Sequence, residues 1–377
     1  MKKIVTIILV ALFFWGTGLA NAQKEEKVKL KAENIQIKTK KPISNEEINK
    51  LEELYPKGKP STSVDSVTKF IFPATGINAP AVVGQKYAIV IGMANYPGMD
   101  FDLCVPEART DLSMPISGLS LYCKDDDSHH MKNTLISSDY GFNAENIRWI
   151  ADADATYDNI KTAVDEIKLK LTENDELVFF FSGHGFTGQF NDPTGVSDSD
   201  KDGVDEAIGI YDSTYPTDES ILADPTVLDN YDYTKSNALI FDDELRNWFV
   251  NSPTSRIAFI FDICGAGGMS DLAGEGRVLA MSSLEGQTSY TYYLGGTYTS
   301  ATTIQESQGL FSHYFVNNGM ESGLADGYNL LSKRDAKKYD GKVSIEEAFG
   351  YAYPIIKSVK PQTSILNDSD KLLDFLP

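Results

Sequence analysis

Four short apolar runs set the terms on which this chain can fold. They are Tyr87-Ala88-Ile89-Val90-Ile91, Ile147-Arg148-Trp149-Ile150, Leu177-Val178-Phe179-Phe180-Phe181 and Ile257-Ala258-Phe259-Ile260-Phe261. Successive residues of a strand face opposite ways, so a run that is apolar at nearly every position needs cover on both faces. The intervening sequence supplies that cover. Ile160, Val164, Ile167 and Leu171 recur at helical spacing between the second and third runs. Asp243–Val250, with Leu245, Trp248 and Phe249, predicts a helix just before the fourth. Strand and helix in alternation predict an α/β chain with a mostly parallel central sheet. Near the end, Ser344-Ile345-Glu346-Glu347 is a capping box, where each end residue satisfies a backbone N–H of the other. The stripe Ile345, Ala348, Phe349, Ala352 then predicts a helix as far as Pro354. No internal repeat is evident.

The N-terminal part reads differently. Lys2 and Lys3, an apolar run from Ile4 to Phe14, and small residues at Ala20-Asn21-Ala22 make residues 1–22 a signal peptide, too short for a convincing membrane span. No Cys follows the cut, which disfavours a lipoprotein anchor. The mature chain is therefore expected to be exported, periplasmic or extracellular, with no membrane span. Residues 23–84 are rich in Lys, Glu, Pro, Ser and Thr, with one short helix expected over 45–55. They read either as a flexible leader or as a propeptide that shields the site. Residues 85–377 form the α/β domain. The formal net charge of −20 disfavours nucleic acid and anionic membranes and favours cationic ligands and calcium. Residues 188–238 are long, acidic and rich in Asp, Pro, Ser and Thr, more than a plain connection needs.

The chemistry gathers where two of the runs end. The third leads into Ser182-Gly183-His184-Gly185, the fourth into Asp262-Ile263-Cys264-Gly265-Ala266-Gly267-Gly268. In open parallel sheets, sites form beyond the carboxyl ends of strands. If these strands are neighbours, an imidazole and a thiol face one crevice. A thiol is a nucleophile as its thiolate, and a nearby imidazole can take the proton and later deliver it to a leaving amine. The backbone N–H groups of Gly185 and Cys264 are candidate donors to an oxyanion. The plainer reading makes Cys264 a small buried residue, left over from a Cys104–Cys123 disulfide in a chain of three cysteines.

With these residues in view, the chain resembles the caspase/metacaspase clan of cysteine peptidases, its bacterial metacaspase-like members in particular. Phe179–Gly185 is similar to the clan's histidine motif, and Phe259–Cys264 to its strand leading to Asp-x-Cys. Leu121–Asp126 resembles the upstream Gly-Cys-x-x-Asp segment, with Tyr122 in place of Gly. Tyr140-Gly141-Phe142, Asn146–Asp152, Asp202–Ile208, Phe241–Leu245, Val343–Glu347 and Pro361-Gln362-Thr363 follow in the family's order. Departures include Gly265-Ala266-Gly267 where His-Ser-Gly is usual, Ile263 for Ser, and an insertion around Asn95–Ser120 that carries Cys104.

The resemblance implies a caspase-like three-layer α/β/α sandwich with a mostly parallel central sheet. It implies a cysteine endopeptidase in which Cys264, His184 and Gly185 are catalytic. Metacaspases cut after Arg or Lys, and their matching pocket positions here are Cys123, Asp126, Ser182 and Asp262. Two carboxylates would hold a guanidinium or ammonium by charge-assisted hydrogen bonds, and a pocket role for Cys123 argues against the disulfide. Protein or peptide substrates with basic residues are the expected partners, and a monomer is expected. Several metacaspases are activated by calcium, and the matching acids are Asp205, Asp242, Asp243 and Asp271. Independently, Asp198–Glu206 alternates oxygen donors around Gly203, although a full EF-hand loop would want Glu where Gly209 stands. His129 and His130 are expected to be structural or surface residues, and His313 part of a packed helix. Self-processing at basic residues such as Lys235 or those of the Lys-rich leader is a further expectation. The alternative function is a caspase-like pseudopeptidase that binds calcium or a protein partner without catalysis.

Overall fold

A computed structural model describes residues 36–38, 40–42, 46–47, 84–96, 103, 123–188, 205–212, 238–292, 305–329, 333–335, 339–359, 362–368 and 376. The signal segment, Cys104, Asp198–Val204, Lys235 and all but residues 46–47 of the helix expected over 45–55 lie outside them. The strands in chain order are β1 (Gln36–Lys38), β2 (Lys41–Pro42), β3 (Lys86–Gly92), β4 (Cys123–Asp125), β5 (Ile147–Ala151), β6 (Glu176–Ser182) and β7 (Gly185–Gly188). They continue as β8 (Asp205–Gly209), β9 (Leu239–Phe241), β10 (Ile257–Asp262), β11 (Arg277–Met281), β12 (Tyr290–Tyr292), β13 (Gln305–Gly309) and β14 (Ile365–Asn367). The helices that matter below are α1 (Asp127–Ile136), α2 (Tyr157–Lys168), α3 (Asp242–Phe249) and α4 (Ile345–Val359).

The four apolar runs are adjacent strands of one sheet, ordered β14-β11-β10-β6-β3-β5. All its pairings are parallel except that of the edge strand β14 with β11. Alternate residues of each run sort to opposite faces. Ala88, Val90, Val178, Phe180, Ala258 and Ile260 pack with Met131 and Leu135 of α1 and with Ile345, Phe349 and Ile356 of α4. Ile89, Ile91, Phe179, Phe181, Phe259 and Phe261 pack with Ile160, Val164 and Ile167 of α2 and with Leu245, Trp248 and Phe249 of α3. The three-layer α/β/α sandwich is thus written into the alternation, as expected. Two smaller sheets, β1-β7-β8-β9 and β2-β12-β13-β4, are built from strands that flank the carboxyl ends of the central ones.

The capping box forms as anticipated. Ser344 N donates to Glu347 Oε2 at 3.0 Å, and Glu347 N donates to Ser344 Oγ at 3.1 Å. The helix it starts does not stop at Pro354 but runs through it to Val359. Proline removes one backbone bond and crowds the preceding turn. Every residue from Ile345 to Ile356 is buried, and that enclosure outweighs the local defect. His313 opens a π-helix, His313–Glu321, that follows a short α-turn at Leu310–Ser312. Its ring stacks on Tyr292 at 3.7 Å, a packed position as expected. His129 is exposed, while His130 bridges Asp126 and Glu321.

Phe179 sits at the centre of one core half, with the rings of Phe249, Phe259 and Phe261 at 5.7, 6.0 and 6.0 Å. Phe179→Ala is expected to lower unfolding free energy by about 3–5 kcal/mol through lost burial and an unfilled cavity. Urea unfolding followed by circular dichroism measures it.

Candidate active site

Parallel pairing in register brings the two strand ends together. Asp262, last in β10, lies opposite Ser182, last in β6. Gly183 N donates to Asp262 O at 3.2 Å. The chain beyond them carries His184 and Cys264 into one place. Gly185 lies so near that a Cβ there would meet the Cys264 carbonyl oxygen at 2.0 Å. Both side chains are enclosed, Cys264 at 1% and His184 at 2% relative exposure. Cys264 is not in a disulfide, and its Sγ accepts a hydrogen bond from Ser289 N at 3.3 Å. After it the backbone turns through Gly265 at φ 69° into a 3-10 helix, Ala266–Leu272.

The imidazole is held from the side by Tyr96. The Tyr96 hydroxyl accepts from His184 N at 2.7 Å and donates to Gly209 O at 3.1 Å. Its ring lies 4.6 Å from the imidazole, and Phe186 closes the other approach at 6.4 Å. Tyr96 was invisible to the strand-and-motif reading because it follows β3 in a segment with no periodic pattern.

Near the thiol lies a buried, charged cluster. Asp262 is its centre. Oδ1 accepts from Ser289 Oγ at 2.9 Å, and Oδ2 accepts from Ser312 N and Ser312 Oγ, both at 2.9 Å. Lys40 Nζ lies 2.9 Å from Oδ1, with both side chains wholly buried, and donates to Ser182 Oγ at 3.3 Å. Ser182 in turn donates to Asp127 Oδ2 at 2.5 Å, which also takes Gly309 N at 2.8 Å. Asp127 Oδ1 is buried with no hydrogen-bond partner. Burial, and then the nearby Asp262, push the Asp127 carboxyl up to about 7, while Lys40, Ser182 and Gly309 N–H pull it down. Gly309 has to be glycine here: a Cβ would meet Asp262 Oδ2 at 1.9 Å and Lys40 Nζ at 3.0 Å.

Of the four residues expected in a pocket, Ser182 and Asp262 meet here. Asp126 does not. As the residue before α1 it turns away, accepting from Gln308 Nε2 at 3.2 Å and pairing with His130 Nε2 at 3.3 Å. The neighbouring Asp127 is the acid that meets Ser182. The first helical turn rotates each side chain by about 100° from the last, so a one-residue difference decides which acid faces the pocket. Asp127 lies one helical turn before the buried core residue Met131. Cys123 is described through its backbone, which pairs with Gln305. Lys40 was the other omission, hidden in a stretch taken for a leader.

The four acids proposed for calcium share one electrostatic environment. Burial first, and then Asp271, Asp243 and Asp205, push the Asp242 carboxyl up to about 8, against a hydrogen bond from Asp243 N. The oxygen donors suit a hard divalent cation. Among the described residues, however, no three acidic, His or Cys side chains converge as a ready metal site, and Asp243 is engaged by Arg246 at 3.1 Å. Holding calcium requires these side chains to draw together.

Residues 85–324 match the family model described as the caspase domain. Two curated relatives are both named metacaspase-1. The protein from Pyricularia oryzae is 28% identical over 199 residues, covering 50% of this chain and 38% of the relative. The one from Lodderomyces elongisporus is 28% identical over 199 residues, covering 50% of this chain and 34% of the relative. The aligned part thus spans little more than a third of either relative. Among solved structures, a Geobacter sulfurreducens protein aligns at TM-score 0.39 and 15% identity over 75% of this chain and 92% of that one. Since the family model covers well over half of its length, the chain belongs to the caspase-domain family.

Proposed function

We propose that this chain is an exported, monomeric endopeptidase that hydrolyses peptide bonds after Arg or Lys through Cys264 and His184. The observation that carries the specificity is the pocket itself. An ammonium already rests on Asp262 and Ser182 in a buried recess near the thiol. Asp127 adds a second carboxylate, with one oxygen unused by the lysine's partners. That oxygen is a spare acceptor for the wider fork of a guanidinium. Export rests on the apolar run after Lys2 and Lys3.

In the reaction, His184 takes the Cys264 proton and the thiolate attacks the carbonyl carbon after the basic residue. The N–H groups of Gly185 and Cys264 receive the oxyanion. His184 then protonates the departing amine, leaving a thioester. Water, deprotonated by the same imidazole, releases the acid and restores the thiol. Tyr96, its ring 4.6 Å from the imidazole, steadies His184. Calcium takes no part in the bond changes. Drawn in by Asp205, Asp242, Asp243 and Asp271, it would relieve their mutual repulsion and stiffen the start of α3 and the 3-10 helix after Cys264.

Small Arg- and Lys-amides are expected to be cut and Asp-amides spared, with Cys264→Ala abolishing turnover by at least about 10³-fold. Mass spectrometry of the same pair would also read self-processing at basic residues such as Lys235. No turnover of any amide, together with no alkylation of Cys264 by a peptide electrophile, would instead favour the non-catalytic binding module. Because Asp127 ionises near 7, more of the pocket is anionic as pH rises from 6 to 8. KM for basic amides is therefore expected to fall over that range, and Asp127→Asn to flatten the profile and raise KM about tenfold or more. The KM and kcat profiles, measured separately, separate this from titration of the dyad. Calcium is expected to raise the melting temperature, and Asp242→Asn to remove the shift. A thermal scan with calcium or chelator checks it without reference to activity.

A further inference from the structure

One carboxylate reaches the supports of both the imidazole and the buried pocket. Asp152 follows β5 and opens a single 3-10 turn, Asp152–Asp154. β5 pairs in parallel with β3, with Ala151 opposite Gly92, so Asp152 lies where β3 ends. Its Oδ1 accepts from Ala94 N at 2.9 Å and from Asn95 N at 3.0 Å. Its Oδ2 accepts from Asp125 N at 3.1 Å. Three backbone N–H groups from two separate segments thus converge on one side chain.

Each segment then delivers a residue to the site. Asn95 is followed by Tyr96, whose hydroxyl accepts from His184 N at 2.7 Å and donates to Gly209 O at 3.1 Å. Asp125 stands two residues before Asp127, whose Oδ2 takes Ser182 Oγ and Gly309 N. Hydrogen bonds from backbone N–H to an ionised carboxylate are stronger than those between neutral groups. Burial pushes the Asp152 carboxyl up, while the three N–H groups and then Lys124 pull it down. The backbone at Asp152 has a φ of 48°, a left-handed conformation that aspartate and asparagine tolerate better than other side chains. The position therefore asks for two things at once, a pair of acceptor oxygens and tolerance of that conformation, and aspartate meets both.

We propose that Asp152 is a positioning residue that sets the imidazole and the pocket acid together, through Tyr96 on one side and Asp127 on the other. It acts through those two residues and not on the substrate itself. The inference rests on reading Cys264, His184 and the Asp262–Asp127 pocket as a peptidase site. It goes further by naming one remote carboxylate on which both turnover and recognition of the basic residue depend.

The test uses variants of the full chain. Asp152→Asn keeps the size of the side chain and its tolerance of the backbone, but puts an NH2 group where one oxygen now accepts. It is expected to lower kcat and to raise KM for Arg- and Lys-amides, each about tenfold. Tyr96→Phe is expected to lower kcat alone, and Asp127→Asn to raise KM alone. Adding Asp152→Asn to those two changes is expected to cost less than about twofold more, because its effect passes through them. Fully multiplied losses in the triple variant, or kcat and KM both unchanged in Asp152→Asn, would overturn the proposal. Alkylation of Cys264 by iodoacetamide across pH needs no turnover. Asp152→Asn and Tyr96→Phe are expected to move its midpoint upward by the same amount, towards the ordinary thiol value of about 8.5. That common shift in a chain that cuts no amide would uphold the positioning role and sink the peptidase reading. Cleavage of basic amides by the wild type, with no shift of the midpoint in Asp152→Asn, would do the reverse. Hydrogen exchange on the unmutated chain guards against a variant that fails to fold. Slow exchange at Ala94, Asn95 and Asp125 is expected, and exchange there at the rate of an unstructured peptide overturns the proposal.

Discussion

A carboxylate that has lost all contact with water governs the reactive end of this molecule. Asp262 ends β10 at zero exposure, and an ionised group in such a place survives only if every lone pair is answered. The answers come from three different parts of the chain. Ser289 precedes β12, Ser312 closes the turn that opens the π-helix, and Lys40 comes from just before β2. Breaking such a set by removing one charged partner costs about 3–5 kcal/mol, because the remaining charge stays buried. Satisfying that one group draws Ser289, Ser312 and Lys40 together at the end of β10, two residues before Cys264.

The sheet was readable because its signal is physical and local. Runs such as Leu177–Phe181 cannot be anything but doubly covered strands, and the helix at Tyr157–Lys168 declares its inner face through Ile160, Val164 and Ile167. His184 and Cys264 were readable for a related reason: strand ends in a parallel sheet collect the chemistry. Asp127 was missed because three acids in a row carry no phase. Only the start of α1 decides which of them turns inward, and a boundary shifted by one residue swaps the answer. The same limit applied at Pro354, where local propensity predicted an end and tertiary enclosure of α4 overruled it.

Lys40 escaped for a different reason. Composition averages over a segment, and residues 23–84 are polar on average. Within them, Ile35-Gln36-Ile37-Lys38-Thr39-Lys40 alternates apolar and polar residues, the pattern of a strand with one covered face. Its partner β7 lies far along the chain, and its pocket needs β6, β10 and the Ser312 turn in place before it exists. No local rule could have matched this lysine to Asp262.

Residues 362–367 finish the wall behind Cys264. Gln362 Oε1 accepts from Tyr290 N at 3.2 Å, and its Nε2 donates to Ser282 O at 2.8 Å and Ser289 Oγ at 3.3 Å. Thr363 N donates to Gln287 Oε1 at 2.8 Å, and β14 then closes the sheet against β11. A ribosome or an export channel delivers a polypeptide from its N-terminus, so Lys40 and Cys264 emerge well before the residues that hold Ser289 against the sulfur. The order of synthesis therefore keeps the thiol's surroundings incomplete until the last strand has arrived.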